Sequence, residues 1–358
     1  MFERAYSVKS ATERGKGIQI VGLGACTPLG RRAATSAAAI RAGISRAREH
    51  ARWRDSDGDA AVLAYADFLP SAMRAAERMT ALALSACQEA VAALPATTPS
   101  VSVLVALPDA RPGGLSDKGL KLQDCLRTLV AQRVRIRDLV LYTQGDAGGF
   151  LALSEAMKRL SEDPRGLCLV GGVDSFIDVD TMDYLETRSQ LKTATHRWGF
   201  VPGEAAAFCL LATPSAASFH RLPDRGRLMA AATARETTLA ERDSVCTGEA
   251  LSAACRAALD PETDAERVCT VVCDLNGERQ RADELGFMLA RLGERFAAPV
   301  KISTPAEGWG NVGAASATLF MTLAGCVRHE PGRQALLCAA SEHGLRGAAR
   351  VYGPGNGP

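Results

Sequence analysis

Histidine is scarce in this chain, with five residues in 358, and aromatic residues make up only 5%. The imidazoles are His50, His196, His220, His329 and His343, and no two are spaced as metal ligands on one helix face would be. No CxxC pair occurs among the 11 cysteines, and the odd count argues against a disulfide framework or a zinc ribbon. Neither sign of charge dominates: Lys and Arg number 42, Asp and Glu 40, and the net charge is +2. Without a clustered basic run, no nucleic-acid partner is expected. No run of 18 apolar residues is present, so no membrane span is expected, and the first residues lack the apolar core of a signal peptide. Most cysteines sit inside apolar runs such as Gly166 to Gly172 and Ala205 to Ala212, where a thiol acts as a small core group. That usage fits a reducing cytoplasm. Gly22 and Gly24 follow an apolar run, but Pro28 interrupts and the dinucleotide spacing is not met, so no cofactor is expected, nor a metal.

What is abundant is apolar material, 47% of residues, with 33 glycines. Apolar runs alternate with longer stretches of helical period, the pattern of an α/β protein with buried sheets. Residues 1–17 read as a polar extension, 18–213 and 226–354 as two halves of similar rhythm, and 214–225 as the linker between them. The charged stretch 44–60 reads as a solvated loop, and 184–203 as irregular. Helices are expected over 72–93, 117–132 and 282–292.

The stretch Leu141 to Leu160 organises the rest. Leu139, Val140 and Leu141 enter a turn, Gly145-Asp146-Ala147-Gly148-Gly149, that opens into a helix with Phe150, Leu153, Met157 and Leu160 on one face. Free N–H groups at such a turn suit a nucleophile or an anion. Its apex is Asp146. A carboxylate there is expected to cap the helix through the N–H of Gly148 or Gly149, the helix dipole favouring its ionised form. Glu278, Asp283 and Glu284 interleave with Arg279 and Arg281 and read as a solvated helix start. Cys26, although in a turn, reads as core.

Four segments resemble the β-ketoacyl synthases of the thiolase superfamily: Val21 to Gly30, Leu169 to Ser175, Arg197 to Ala205 and Gly313 to Ala317. They fall in the family's order and span about 18–354. The resemblance implies a thiolase fold, two βαβαβαββ halves in five α-β-α-β-α layers, paired as a dimer through the strand at Val140. The catalytic set does not carry over. Asp146 stands where the family has its cysteine, Leu275 or Asn276 where it has the first histidine, Gly310 where it has the second, and Pro305 where it has a lysine. Gln144, Phe150, Trp309, Asn311 and His343 are the candidate pocket-lining residues.

A condensing synthase needs a thiolate to take the acyl group and donors to hold the developing oxyanion. With those residue types missing, the resemblance implies an inactive binding or scaffold protein, a homodimer or a heterodimer with a related synthase. Ala147-Gly148-Gly149 and Ala152-Leu153 also resemble chain-length factors, the non-condensing partners in two-subunit polyketide synthases. Trp309 to Ser316 resembles synthase-like proteins encoded beside type VI secretion genes, which implies an effector or adaptor partner. The opposed reading is a residual acyl transferase or thioesterase acting on acyl carrier protein or acyl-coenzyme A, with Asp146 as base beside His343.

Overall fold

Residues 6–9, 17–95, 100–113, 124, 134–237, 246–259, 267–326 and 334–354 are described by the structure, a computed structural model. The elements run β1 (Tyr6–Lys9), β2 (Ile18–Cys26), α1 (Ala33–Arg41), β3 (Ala47–Arg54), β4 (Ala60–Ala64), α2 (Ala75–Ala90), β5 (Ser100–Ala106) and β6 (Arg135–Tyr142). Next come α3 (Gly148–Glu162), β7 (Leu167–Ser175), α4 (Val179–Thr187), β8 (Glu204–Ala212), α5 (Pro214–Phe219), β9 (Arg227–Arg235) and α6 (Glu249–Ala258). The chain closes with β10 (Val268–Cys273), α7 (Arg279–Arg291), β11 (Phe296–Ser303), α8 (Ala306–Trp309), α9 (Ser316–Cys326), β12 (Gln334–Ala340) and β13 (Leu345–Tyr352).

Two sets of five strands share one design. In the first, β6, β5 and β7 are parallel, β8 is antiparallel to β7, and β2 is antiparallel to β8. In the second, β11, β10 and β12 are parallel, β13 is antiparallel to β12, and β9 is antiparallel to β13. The same order and directions recur, as a duplication requires. The sets join where Ile18 and Gln19 pair with Leu228 and Arg227. Helix α2 covers the first set, and α6, with α7 behind it, covers the second. Between the sets lie α3 and α9, each touching strands of both. This is the α-β-α-β-α thiolase arrangement.

The apolar sequence dictates that layering. Every residue of β7 and β8 is buried, as strands covered on both faces demand. Helix α9 is buried all round from Ser316 to Gly325, the state of a helix apolar on every side. Gly172 in β7 allows a close approach between layers, because a Cβ there would lie 2.2 Å from the Ala314 carbonyl oxygen.

Three expectations change. The stretch 44–60 is no loop but the β3–β4 hairpin. Its charges obscure a two-residue alternation, and Asp55 Oδ1 closes the tip by accepting the N–H groups of Asp57 and Asp59 at 3.1 and 2.9 Å. In the segment 1–17, Tyr6–Lys9 joins the sheet antiparallel to β9. The stretch 214–225 carries helix α5, started by Pro214 and capped by Thr213 Oγ1, which accepts the Ala216 N–H at 3.1 Å. The helix expected over 117–132 lies, apart from Asp124, outside the described residues.

Candidate functional site

The carboxyl ends of the parallel strands meet at the seam between the halves. Asp109 follows β5, the glycine turn follows β6, Asp174 ends β7, Asp274 follows β10 and Ser341 follows β12. Of these, Asp109, Asp146 in the glycine turn and Ser341 border a cavity of about 520 Å³, with Asp174 and Asp274 set behind its wall. One wall carries Phe176, Tyr184, Leu185 and Phe200, and the other carries side chains of α7 and of the turn after β12. Gly145 bends the chain at φ +60°, and a Cβ there would lie 3.1 Å from an Asp109 carboxylate oxygen. A larger residue would meet both strain and the acid.

Asp146 does not cap the helix. Ala147 is the N-cap of α3, which has no side-chain cap bond. The Ala147 N–H donates instead to Ser341 Oγ at 2.8 Å, and the Ser341 hydroxyl donates to the Gln144 carbonyl at 2.5 Å. A serine from the other half thus ties down the turn that leads into the helix, and no side chain caps the helix itself. The Asp146 carboxylate faces across the seam, with Oδ1 3.4 Å from Arg281 Nη2. That oxygen accepts no hydrogen bond, although Asp146 is only 7% exposed. Burial pushes its carboxyl up to about 7; Arg281 opposes the rise, while Asp274, Asp109 and Asp174 add to it. The ionised, capped aspartate expected from the helix dipole is therefore corrected on both counts.

Arg281 is the hub. Its Nε contacts Glu278 Oε2 at 2.9 Å, its Nη1 contacts Asp274 Oδ2, and Nη1 also donates to the Ala340 carbonyl at 2.8 Å. Burial opposes its charge, but Asp274, Asp146 and Glu278 outweigh that and hold the guanidinium protonated. Burial likewise raises Asp274, against the pull of Arg281. Deeper still, Arg346 grips Glu284 with two bonds of 2.6 Å. Across the cavity, Arg111 pairs with Asp174 and lies 4.1 Å above the Phe176 ring. Burial raises Asp109, despite Arg111 at 3.8 Å.

The solvated helix start is thus only half right. Arg279 and Asp283 are exposed, whereas Arg281 and Glu284 turn inward with Leu285 and Met288. The spacing 281, 284, 285, 288 is one helix face, and it was the available signal. Arg111, Asp109, Asp174, Asp274 and Arg346 carried no such pattern.

Of the candidate lining residues, Asn311 and His343 border the cavity. His343 is 63% exposed and faces Asp109, with Nε2 3.8 Å from Oδ2, rather than Asp146. Gln144 contributes its carbonyl to Ser341. Phe150 is fully buried, against Gly347, and Trp309 is buried in the core beside α9. Leu275 packs on the second-half core, and the Asn276 carboxamide bonds Glu278. Gly310 lies at φ +75° with its backbone against Val201 and Gly203. None of Leu275, Asn276 and Gly310 borders the cavity, and neither does any cysteine among the described residues. Cys26 is buried, and burial pushes its thiol up to about 11.

Among the described residues, no helix is long and apolar enough to cross a membrane. No protein-family model and no curated protein matches the chain by sequence. Solved structures do match. One is a type II polyketide synthase acyl-carrier protein in complex with its ketosynthase bound to the hexaketide, with TM-score 0.76, 15% identity, and 94% of this chain and 99% of that chain covered. A second is the ishigamide ketosynthase/chain length factor, at TM-score 0.72 and 21% identity, covering 95% and 100%. The ketosynthase from module 6 of the bacillaene synthase of Bacillus subtilis 168 matches at TM-score 0.71 and 13% identity, over 94% of this chain and 72% of that one. A shared layer order with so few shared residues is a likeness of architecture: the chain has the thiolase-type fold that these ketosynthases share.

Proposed function

We propose that this protein is a non-condensing member of the ketosynthase architecture, a binding subunit for a synthase-type partner or its acyl carrier protein. One observation carries the reading. At the apex where the family resemblance places the acyl-accepting thiol stands Asp146, opposite Arg281, in a cavity that among the described residues is bordered by no cysteine and has no imidazole facing the acid. Condensation has no thiolate to start from and no donor pair to hold an oxyanion. Chain-length factors offer the nearest precedent in role, and a matched structure contains one. Strand β6 supports a partner as well. It ends the sheet, its outer edge has no strand partner among the described residues, and Leu139 to Tyr142 are only half-buried. Either a related synthase or a second copy fits that edge. An accessory role in type VI secretion stands on the Trp309 to Ser316 stretch alone and predicts capture of an effector or adaptor.

The test is incubation with acyl-loaded carrier protein, alone and with a candidate synthase. Intact-mass analysis should show no acyl group on this chain, and size-exclusion chromatography should show a stable complex. An acyl adduct, or turnover that Asp146→Ala abolishes, overturns the proposal. One observation favours hydrolysis as a second reading: a buried carboxyl at the cavity wall, pushed up to about 7, is poised as a general base. Thioester hydrolysis by the isolated protein, lost in Asp146→Asn, would establish it.

A further inference from the structure

Another cavity lies away from the seam, against the β3–β4 hairpin. It is a groove of about 830 Å³ bordered by the hairpin, by the chain between β4 and α2, and by the start of α4. It shares no bordering residue with the seam cavity. Its apolar wall is mostly rings. Trp53 and Tyr65 sit partly buried on the small cluster that holds Leu63, Ile177 and Leu185, and Phe68 borders the same groove. The His50 ring lies 4.8 Å from Trp53 and 5.2 Å from Tyr65. Val179, the first residue of α4, opens onto the groove and is 57% exposed. Aromatic and branched side chains gathered on the outside of a folded chain mark a surface that something covers.

The polar groups left free around the groove are donors. Asp67 is paired with Arg48 at 3.2 Å, Asp178 caps α4 by accepting the Asp180 N–H at 3.1 Å, and Arg78 is engaged by Glu204. Arg52 and Arg74 border the groove, are exposed, and have no ion-pair partner among the described residues. His50 adds a neutral donor. Its Nδ1 accepts the N–H groups of Arg52 and Trp53, each at 3.3 Å, which leaves the ring proton on Nε2. Burial, then Arg52, Arg48 and Arg78, hold the imidazole below its ordinary value.

We infer that this groove binds an aromatic carboxylate, whose ring lies on the Trp53–Tyr65 wall and whose carboxylate accepts from Arg52 and Arg74. The volume suits a small organic ligand. A planar ring matches a wall made of rings, and guanidinium forks match a carboxylate. An amine would meet two unpaired guanidiniums and only carboxylates that already have partners. An uncharged apolar ligand would cover the rings and leave both guanidiniums unanswered. The inference goes beyond the binding-subunit reading and does not depend on it.

The probes are 4-fluorophenylacetate and 4-fluorophenethylamine, titrated with the full chain and followed by the broadening of their fluorine NMR lines. The acid should bind saturably, weaken with added salt, and outcompete any effect of the amine. Arg52→Gln and Arg74→Gln should each lower the acid's affinity by about tenfold, the loss of a charged hydrogen bond. Val179→Asp sets a carboxylate in the groove at the first turn of α4, where the helix dipole favours it, and should abolish acid binding. All three positions are exposed, so the variants should melt with the parent, which thermal scans run alongside will check. No saturable acid binding, an amine that binds as tightly as the acid, or an acid affinity indifferent to both arginine substitutions or to Val179→Asp overturns the inference. An acyl group found on this chain in the carrier-protein assay would sink the binding-subunit reading and leave the groove untouched, so the two failures are distinguishable.

Discussion

The Ala147 N–H of the first half donates to Ser341 Oγ of the second at 2.8 Å, so the turn that leads into the core helix is tied down from across the molecule. The same hydroxyl donates to the Gln144 carbonyl, and Ser341 is 3% exposed. Ser341→Ala strands a buried donor and a buried acceptor at once. The expected loss is about 1–3 kcal/mol, read as a lower urea midpoint at unchanged slope. An unchanged midpoint would show that the turn does not depend on this serine.

Arg281→Met removes the cation shared by Asp146, Asp274 and Glu278 while keeping the side-chain bulk. Two buried acids are then left without their partner, at a cost of about 3–5 kcal/mol at pH 8. The cost should shrink toward pH 5, because neutral carboxyls no longer need the guanidinium. Thermal melts at both pH values check this, and an equal loss at each would count against it.

Asp146→Asn acts in the opposite sense. The native carboxyl lies at about 7, above its ordinary value, so its contribution is fully present in acid and is lost as pH rises through 7. Asparagine does not titrate. The variant should therefore gain stability relative to the parent between pH 5 and pH 8, by at most ~2.7 kcal/mol, because about two pH units of that range lie below 7. A variant that loses ground across that range would show that the Arg281 pair outweighs burial.

Asp146→Cys restores the thiol position alone. Asn276 and Gly310, at the expected histidine positions, do not border the cavity, so no imidazole pair supports decarboxylation. Iodoacetamide should label the new cysteine, while a malonyl-primed condensation assay stays at background. Condensation by this single variant would mean that other groups at the seam supply the missing donors.

The sequence showed the layers because burial leaves a regular trace: β7, β8 and α9 are predominantly apolar, and the glycine turn opens a periodic helix. The aspartate at the apex of that turn was equally legible. The site was not. Its chemistry depends on pairings such as Asp146 with Arg281 and Arg111 with Asp174, separated by long stretches of chain, and no local period reports a partner across a seam. Capping was misassigned for the same reason: an aspartate at a helix start is a good local cap, but Asp146 faces Arg281 of the other half instead. The β3–β4 hairpin was hidden by charge, since a solvent-facing ribbon need not alternate apolar with polar.

The hub guanidinium and the apex acid belong to different repeats, and so do Ser341 and the turn it ties down. Neither repeat contains a working version of this centre by itself. Its electrostatic character exists only in the docked molecule, and anything that wedges the repeats apart by an ångström or two would discharge the centre before it unfolded either one.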